Sequence, residues 1–333
     1  MIRRTALSLI FIVSVAASVA AQEHVVVGTR RLPQNGPLFL AVAQGYFKAE
    51  GIDLAMTAYD SDQTVAERLA AGATDFALGG FTPAAFNFAG KGQIKAVAAQ
   101  AREKRFYEGS DLVVSNLGFA RGLQKFENLA NRSVAIDALG SVSHYQLEQI
   151  ARVKHVDVAS ISVKPMQTID AIARAIGNNQ VDAAIMPAPY ARELLASSQA
   201  KLLGWYSELD EQQLGALFAS RKMIETRREV VEKFVRAYRR GVAEYAAALL
   251  RKDVHSKRTS DSKSNEIATT IARYIYPERG ASAAEVEAGA YFIEPQARLD
   301  LADIERQIAW YKSHGLIDKN VDARNVVDQS FIK

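Results

Sequence analysis

Residues 134–144 read Val134-Ala-Ile-Asp-Ala-Leu-Gly-Ser-Val-Ser-His144. The pattern predicts an apolar strand, a turn at Gly140-Ser141 and an amphipathic helix that begins directly afterwards. Ser141 or Ser143 can cap this helix, so that free backbone N–H groups and the positive end of the helix dipole point forward. Such donors can form a binding site for an anionic group. The alternative is an ordinary capped helix without a ligand, which has the same sequence pattern. The role of this stretch therefore depends on what the rest of the chain places in front of it.

Length and composition predict a globular protein of two domains. The chain has 333 residues, 49% hydrophobic and 23% charged, with a formal net charge of +4. This length exceeds what one hydrophobic core usually supports, and so mild a charge does not favour nucleic-acid binding. The absence of cysteine excludes disulfides, thiol chemistry and cysteine-ligated metals. We expect no metal or other cofactor, because the histidines show no metal-binding spacing.

The first 21 residues have the pattern of a secretory signal peptide. Arg3 and Arg4 precede an apolar run from Ala6 to Val19, and small residues follow as far as Ala21. The run is shorter than the roughly 20 apolar residues that a membrane span needs, so we expect cleavage after Ala21. No cysteine is present to accept a lipid, and the mature protein is predicted to be free of an anchor.

A repeated order of strands and helices follows the leader. Predicted strands that begin at positions 25, 53 and 75 recur at 133, 161 and 181, at offsets of 108, 108 and 106 residues. Amphipathic helices lie between them, such as the helix predicted from Gln63 to Ala71. Two βαβαβ units of this kind predict an α/β protein with two parallel-sheet lobes.

The chain is expected to cross twice between the lobes, which makes a double hinge. The first lobe is predicted to contain residues 22–105 and 215–333, and the second lobe residues 106–214. From about residue 227 apolar residues recur at helical spacing, and these C-terminal helices are expected to pack on the first lobe. Residues 251–265 are polar and are predicted to form a solvated loop.

A series of short motifs adds to this pattern. They are Gly45-Tyr-Phe-Lys-Ala-Glu-Gly-Ile-Asp-Leu54, Ala70-Ala-Gly-Ala-Thr-Asp-Phe-Ala-Leu78, Gly140-Ser-Val-Ser-His-Tyr145, Trp310-Tyr311, Gly315-Leu-Ile317 and Val327-Asp328. Together with the signal peptide, their order and spacing resemble exported solute-binding proteins of ABC importers. The branch is the SsuA/THI5-like one, which handles aliphatic sulfonates, taurine, nitrate and thiamine-pyrimidine precursors.

The resemblance implies a type II periplasmic-binding-protein fold, with a ligand held between two hinged lobes. It also implies a periplasmic monomer that delivers a small molecule to an ABC permease in the inner membrane. Open parallel sheets independently favour ligand sites beyond the carboxyl ends of their strands. The candidate binding residues in those loops are Gln34, Asn35, Pro37, Gly80, Phe81 and Thr82 in the first lobe, and Gly140, Ser141, Ser143, His144, Ala188, Pro189 and Tyr190 in the second.

These candidates have different expected roles. Gln34 and Asn35 offer amide N–H groups, and Phe81 and Tyr190 could flank an apolar or aromatic body. His144 is either a neutral donor or a cation facing an anion, or else a surface residue of the first helical turn.

Two further positions bear on the ligand. Many relatives carry an acidic residue just before the Pro-Tyr pair, where this chain has Ala188, and its loss argues against an amine-bearing ligand. Arg102 and Arg105 near the hinge could reach an anion, with solvated surface positions as the alternative.

The sequence therefore predicts a non-enzymatic receptor for a small organic anion, a sulfonate or an aromatic or aliphatic carboxylate. A neutral or pyrimidine-type thiamine precursor is the alternative ligand. An exported enzyme on the same fold is less favoured: Gly140-Ser-Val-Ser-His144 lacks the closing glycine of a nucleophile elbow, and a related pyrimidine-synthase branch depends on cysteines. Export and the lack of a DNA-binding segment disfavour a transcription regulator.

Overall fold

A computed structural model describes residues 22–254, 257–277 and 283–332, so the predicted signal peptide lies outside the described residues. The strands are β1 (Glu23–Thr29), β2 (Ile52–Ala58), β3 (Phe76–Gly80), β4 (Ile94–Ala99), β5 (Arg102–Glu103), β6 (Ser110–Ser115), β7 (Ser133–Ile136), β8 (Ser162–Pro165), β9 (Ala183–Pro187), β10 (Ala200–Trp205), β11 (Gln212–Gln213) and β12 (Gly215–Ser220).

The α-helices alternate with these strands and then fill the C-terminal part. They are α1 (Gly36–Ala43), α2 (Tyr46–Ala49), α3 (Asp62–Ala70), α4 (Pro83–Gly90), α5 (Asn116–Ala120), α6 (Val142–Val153), α7 (Ile169–Gly177), α8 (Ala188–Ala196), α9 (Arg221–Thr226), α10 (Arg228–Leu249), α11 (Ser262–Ile275), α12 (Ala283–Ala288), α13 (Leu301–Ser313) and α14 (Ala323–Val326). The predicted α/β class and two-sheet organisation are confirmed.

Each lobe is built on one five-stranded sheet. The first has the order β2-β1-β3-β12-β4 and the second β10-β6-β9-β7-β8. Both sheets are mixed rather than purely parallel: β12 is antiparallel to β3 and β4, and β6 is antiparallel to β9 and β10. The chain leaves one sheet at the edge where its parallel strands end, and it enters the other sheet at the edge where the parallel strands of that sheet end. The first strand after each crossing must therefore run in the opposite direction.

The two crossings meet in a short antiparallel pair, β5 with β11, in which Glu103 faces Gln212 and Arg102 faces Gln213. These two-residue strands connect the sheets and form the predicted hinge. The proposed lobe boundaries, at 105/106 and 214/215, fall beside this pair and remain a prediction.

The C-terminal helices pack on the first lobe, as predicted, and the structure places them on both faces of its sheet. On one face Phe234 of α10 stacks on Phe76 of β3 with ring centroids 3.9 Å apart, and on the other Tyr311 of α13 joins a core with Phe81 and Phe86. The polar loop predicted for residues 251–265 ends earlier, since α11 begins at Ser262. Asp261 caps that helix and closes a capping box with Ser264.

No helix among the described residues has the length and apolar character needed to cross a membrane.

Candidate functional site

The carboxyl ends of the two sheets face each other across a cleft, and Arg30 lies at its centre. This residue directly follows β1. Its Nη1 atom donates to Asp62 Oδ2 of the first lobe at 3.0 Å and to Asp137 Oδ2 of the second lobe at 3.3 Å. Asp62 is the first residue of α3 and also accepts a bond from the Gly80 amide at 2.9 Å. One arginine therefore joins the two lobes through two carboxylates.

Burial and charge act against each other in this ion cluster. Burial alone would lower the pKa of Arg30, but the charges of Asp62 and Asp137 outweigh it and raise that pKa above its ordinary value. Burial raises the pKa of Asp137, and the nearby Arg30 offsets only part of this effect. Arg30 is thus a firmly charged cation, whereas burial makes the Asp137 carboxyl group easier to protonate.

Arg30 also divides the cleft into three spaces. A central cavity of about 40 Å³ lies between the lobes, a second of about 40 Å³ opens beside Ser141, and a third of about 340 Å³ opens beside Tyr59. Arg30 lines all three. The central cavity has room for a few water molecules at most, so a larger ligand requires the Arg30 cluster or the lobes to move. The central cavity is lined by Arg30, Leu32, Gln34, Asp62, Gly80, Gln100, Ser110, Asp137, Val142, Ser143, Gln146, Ile169, Ile185, Met186, Pro187, Leu214 and Tyr291.

Among the candidates of the first lobe, only Gln34 and Gly80 line the central cavity. Asn35 is buried behind it, where its Nδ2 donates to the Arg30 carbonyl at 2.9 Å and its Oδ1 accepts from Gln100 Nε2 at 2.5 Å. Its amide therefore supports the loop that carries Arg30 instead of reaching into the cleft.

The other first-lobe candidates lie away from the central cavity. Pro37 is buried within α1, and Thr82 caps α4 by accepting from the Ala85 amide at 3.2 Å while lining the smaller side space. The Phe81 side chain is fully buried and stacks on Phe86 with centroids 5.0 Å apart. The expectation that Phe81 flanks a ligand is not met, because the chain turns its ring into the apolar core after β3.

In the second lobe Ser143 reaches the central cavity, and Gly140 and Ser141 line a side space. Ser141 is the helix cap and accepts from the His144 amide at 3.2 Å, while Ser143 Oγ accepts from the Asp137 amide at 3.1 Å. Gly140 has a φ of +77° and donates its N–H to His144 Nδ1 at 3.0 Å. The two serine hydroxyls of the predicted anion-binding site therefore already form hydrogen bonds within the loop.

His144 does not face the cavity. Its ring packs edge-on against Trp310 of α13, with centroids 5.5 Å apart, and its Nε2 lies 3.7 Å from Glu148 Oε1. Burial is the main reason that the pKa of His144 lies below its ordinary value, with the charge of Glu148 acting in the opposite direction. His144 is therefore a contact between the lobes, not a cation presented to a ligand.

The remaining second-lobe candidates begin α8. Ala188 is fully buried, Pro189 lies against Gly289, and Tyr190 packs on Tyr276 with ring centroids 5.6 Å apart. Pro187, one position before this group, lines the central cavity.

The two arginines near the hinge lie outside the central cavity. Arg102 pairs with Glu211 and Asp300, and the guanidinium of Arg105 lies over the Phe106 ring, 5.3 Å from its centroid.

Sequence reasoning missed most of the polar residues of the cleft. Arg30 and Asp137 follow β1 and β7 directly, so the rule of carboxyl strand ends could have included them. Tyr291 enters from the C-terminal region and has no local signal. The missed polar residues are Arg30, Asp62, Gln100, Ser110, Asp137, Gln146 and Tyr291.

Several contacts hold the lobes together at the cleft. The Tyr311 hydroxyl lies 2.9 Å from both the Phe81 and the Gly140 carbonyl oxygens, one in each lobe. Glu148 of the second lobe accepts from Trp310 Nε1 at 2.9 Å and lies 2.9 Å from His314 Nε2. The structure is therefore a closed arrangement of the lobes. No cluster of metal-ligating side chains occurs in the described parts of the chain.

Two sheets, a double hinge and a polar cleft between them define a two-lobed binding-protein architecture. A sequence model of the family described as NMT1/THI5 like matches residues 32–248, more than half of the chain. The chain belongs to this family. No curated protein sequence matches it.

Solved structures share the whole fold at low sequence identity. The periplasmic aliphatic sulphonate binding protein SsuA from Escherichia coli is 16% identical, with 93% of each chain covered and a TM-score of 0.71. The alkanesulfonate-binding protein SsuA from Xanthomonas axonopodis pv. citri, bound to MOPS, is 17% identical, with 94% of this chain and 100% of that chain covered and a TM-score of 0.69. The desulfurization enzyme DSZB is 16% identical, with 93% and 98% covered and a TM-score of 0.67. Binding proteins and an enzyme thus share this fold.

Proposed function

We propose that this protein is the substrate-binding component of an ABC importer and that it captures a small organic anion between its lobes. The observation that carries the proposal is Arg30, a buried cation at the meeting point of the two lobes. Both of its carboxylate bonds use Nη1, so neither uses the N–H groups of Nη2 or Nε. A sulfonate or carboxylate can accept from those groups in the paired geometry that arginine favours.

Lobe opening would separate Arg30 from Asp137 and expose the guanidinium to an incoming anion. The anion would then take the place of the Asp137 carboxylate or lie beside it, and closure would bring it against the polar lining of the central cavity, which includes the Gln34 amide. Differential contacts of this kind allow a ligand to favour the closed lobes.

The apolar part of the cleft supports an aliphatic ligand body. The hydrophobic side chains that line the central cavity are mostly aliphatic: Tyr291 supplies its one aromatic ring, and the others are Leu32, Val142, Ile169, Ile185, Met186, Pro187 and Leu214. Phe81 and Tyr190 do not line it. We therefore favour a short aliphatic sulfonate or carboxylate over an aromatic one.

Thermal unfolding of the mature protein tests the proposal with a panel of ethanesulfonate, butyrate, benzoate, nitrate and an aminopyrimidine. A true ligand present at 100 times its Kd should stabilise the protein by about 2.7 kcal/mol. Arg30→Gln should abolish the shift, whereas Arg221→Gln should retain it, because Arg221 is an exposed residue paired with Glu225. A panel without any shift, or equal shifts in the Arg30→Gln variant, would contradict the proposal.

A zwitterionic ligand is a second candidate, favoured by the two carboxylates in the cleft. Ala188 removes a carboxylate at one position only, and Asp62 and Asp137 supply carboxylates to the cleft from elsewhere. Taurine and ethanesulfonate separate the candidates. Asp137→Asn should strengthen ethanesulfonate binding by freeing Arg30, and should weaken taurine binding if its ammonium group contacts Asp137.

The remaining parts of the proposal concern export and partners. We propose a monomer with a mature N-terminus at Gln22, delivered to the periplasm and recognised there by a membrane permease. Mass spectrometry of the exported protein tests the cleavage site, and light scattering tests the monomer. Because an enzyme shares the fold, unchanged ligand recovered after long incubation is the result expected of a receptor, and a chemically altered ligand would refute it.

A further inference from the structure

Glu103 lies directly behind the central cavity, in the hinge strand β5, and its side chain is fully buried. Its Oε1 atom accepts from the Ser110 amide at 3.0 Å and from Gln146 Nε2 at 3.2 Å. Both partners belong to the second lobe, and both line the central cavity. Glu103 therefore fixes the position of two polar residues that a ligand would meet.

Tyr291 of the first lobe contacts this group of residues. The Tyr291 hydroxyl lies 3.4 Å from Ser110 Oγ, and its carbonyl accepts from Tyr245 of α10 at 3.1 Å. Since α10 belongs to the core of the first lobe, Tyr291 is fixed to that lobe. Separating the lobes would therefore withdraw Tyr291 from Ser110 and admit water towards Glu103.

The charges around Glu103 do not neutralise it. No lysine, arginine or histidine forms an ion pair with it among residues 22–254, 257–277 and 283–332, and its Oε2 atom is buried without a hydrogen-bond partner there. Its neighbour Arg102 pairs instead with Glu211 and Asp300. A buried carboxylate without a cation is costly, so the neutral acid is the favoured form.

Other titratable groups face Glu103 from the elements around it. Asp111 of β6 is buried beside Glu108, and Arg192 of α8 pairs with Glu108. Tyr206 and Tyr291 complete the surroundings as neutral phenols. Burial raises the pKa of Glu103 to about 7, while the bonds from Ser110 and Gln146 act in the opposite direction.

We propose that Glu103 is a positioning residue of the cleft and takes up one proton when the lobes close on a ligand. The inference rests on the proposed binding function. As the neutral acid, Glu103 can remain buried while Oε1 holds Ser110 and Gln146 in place. When the lobes open, hydration favours the carboxylate and the proton is released.

The direction of the pH effect follows from linkage. In the closed lobes the pKa of Glu103 is about 7, and in open, hydrated lobes it moves towards its ordinary value of about 4.3. Between these values closure takes up a proton, so ligand affinity should fall by up to about tenfold for each pH unit as the pH rises. Above pH 7 the effect should level off.

A ligand-independent experiment tests the titration and its link to closure. The ideal Cβ of Gly80 in the first lobe lies 3.1 Å from Val142 Cγ2 in the second, so a Gly80→Cys/Val142→Cys variant of this cysteine-free chain can be oxidised to hold the lobes together. NMR of carboxyl-labelled glutamate should show one group that titrates near pH 7 in the oxidised form and at lower pH in the reduced form. The proposal would be overturned if every glutamate had its ordinary pKa in the oxidised form, or if the pKa values were equal in the oxidised and reduced forms.

Calorimetry with ethanesulfonate at pH 6, in buffers of different ionisation enthalpy, tests the link to binding. Wild type should take up close to one proton per ligand more than Glu103→Gln, and this difference leaves out any proton taken up by Asp111 or Asp137, whose pKa values burial also raises. Glu103→Gln mimics the neutral acid and should bind with a reduced pH dependence, whereas the exposed Glu225→Gln variant should behave as wild type. Measurable binding without proton uptake in wild type overturns the proton linkage alone. Absence of binding at every pH instead contradicts the proposed function, and the NMR comparison then decides the role of Glu103.

Discussion

The bond between Arg30 and Asp137 should couple the two lobes energetically, and a double-mutant cycle can measure the coupling. The perturbations are Arg30→Gln, Asp137→Asn and the two together. The bond is 3.3 Å long, and the two side chains are 8% and 23% exposed, so solvent screens it weakly. Hydrogen bonds to charged partners contribute about 1.5–3 kcal/mol, so we expect a coupling free energy near 2 kcal/mol.

The assay is urea unfolding monitored by fluorescence and by circular dichroism, analysed where the two transitions coincide. A matched control is the Arg221–Glu225 pair of α9, which is 2.7 Å long but 62% and 58% exposed. This pair should contribute no more than about 0.5 kcal/mol, and added salt should weaken it further. A coupling for Arg30 and Asp137 as small as that of the control would refute the view that this buried bond joins the lobes.

Two further predictions concern the loop before α6 and the first turn of that helix. Gly140→Ala should destabilise the protein more than Gly45→Ala in thermal unfolding. Both glycines have a positive φ, so both substitutions strain the backbone. An added Cβ at Gly140 would also lie 2.8 Å from Pro83 Cγ, whereas an added Cβ at Gly45 would meet no atom within 4 Å. Equal losses would mean that the contact with Pro83 is unimportant. His144 should titrate below its ordinary pKa in an NMR pH series, because burial favours the neutral ring. Its contribution to stability should therefore be present above its unfolded pKa of about 6.5 and be lost as the pH falls from there through the lower folded pKa, and His144→Gln should remove that part of the pH dependence.

Local pattern was sufficient to predict most of the regular structure. Alternating apolar strands and capped amphipathic helices indicated every long element of the first sheet, and the C-terminal helices were expected to pack there. The predictions missed elements without a local signal. The two-residue strands β5 and β11 exist because they pair with each other across 109 residues, and such a pairing cannot be read from either segment.

The candidate site was predicted less well than the fold, for a physical reason. The prediction that loops at the carboxyl ends of strands bind the ligand stays a prediction; of its residues, Gln34, Gly80 and Ser143 line the central cavity. Side-chain direction within those loops depends on what each residue packs against. Phe81 turns into the core against Phe86, and His144 turns towards Trp310 of a distant helix.

The sequence by itself determined the two α/β units and their order, because hydrophobic periodicity and helix caps act over a few residues, and it also showed membership of the NMT1/THI5-like family. Only the tertiary structure decided the chemistry of the cleft. Arg30, Asp62 and Asp137 are separated by up to 107 residues along the chain, and nothing in the sequence around any one of them indicates the other two. Folding buries them together, and burial in turn determines which charges are retained and which carboxyl groups, such as that of Glu103, hold a proton.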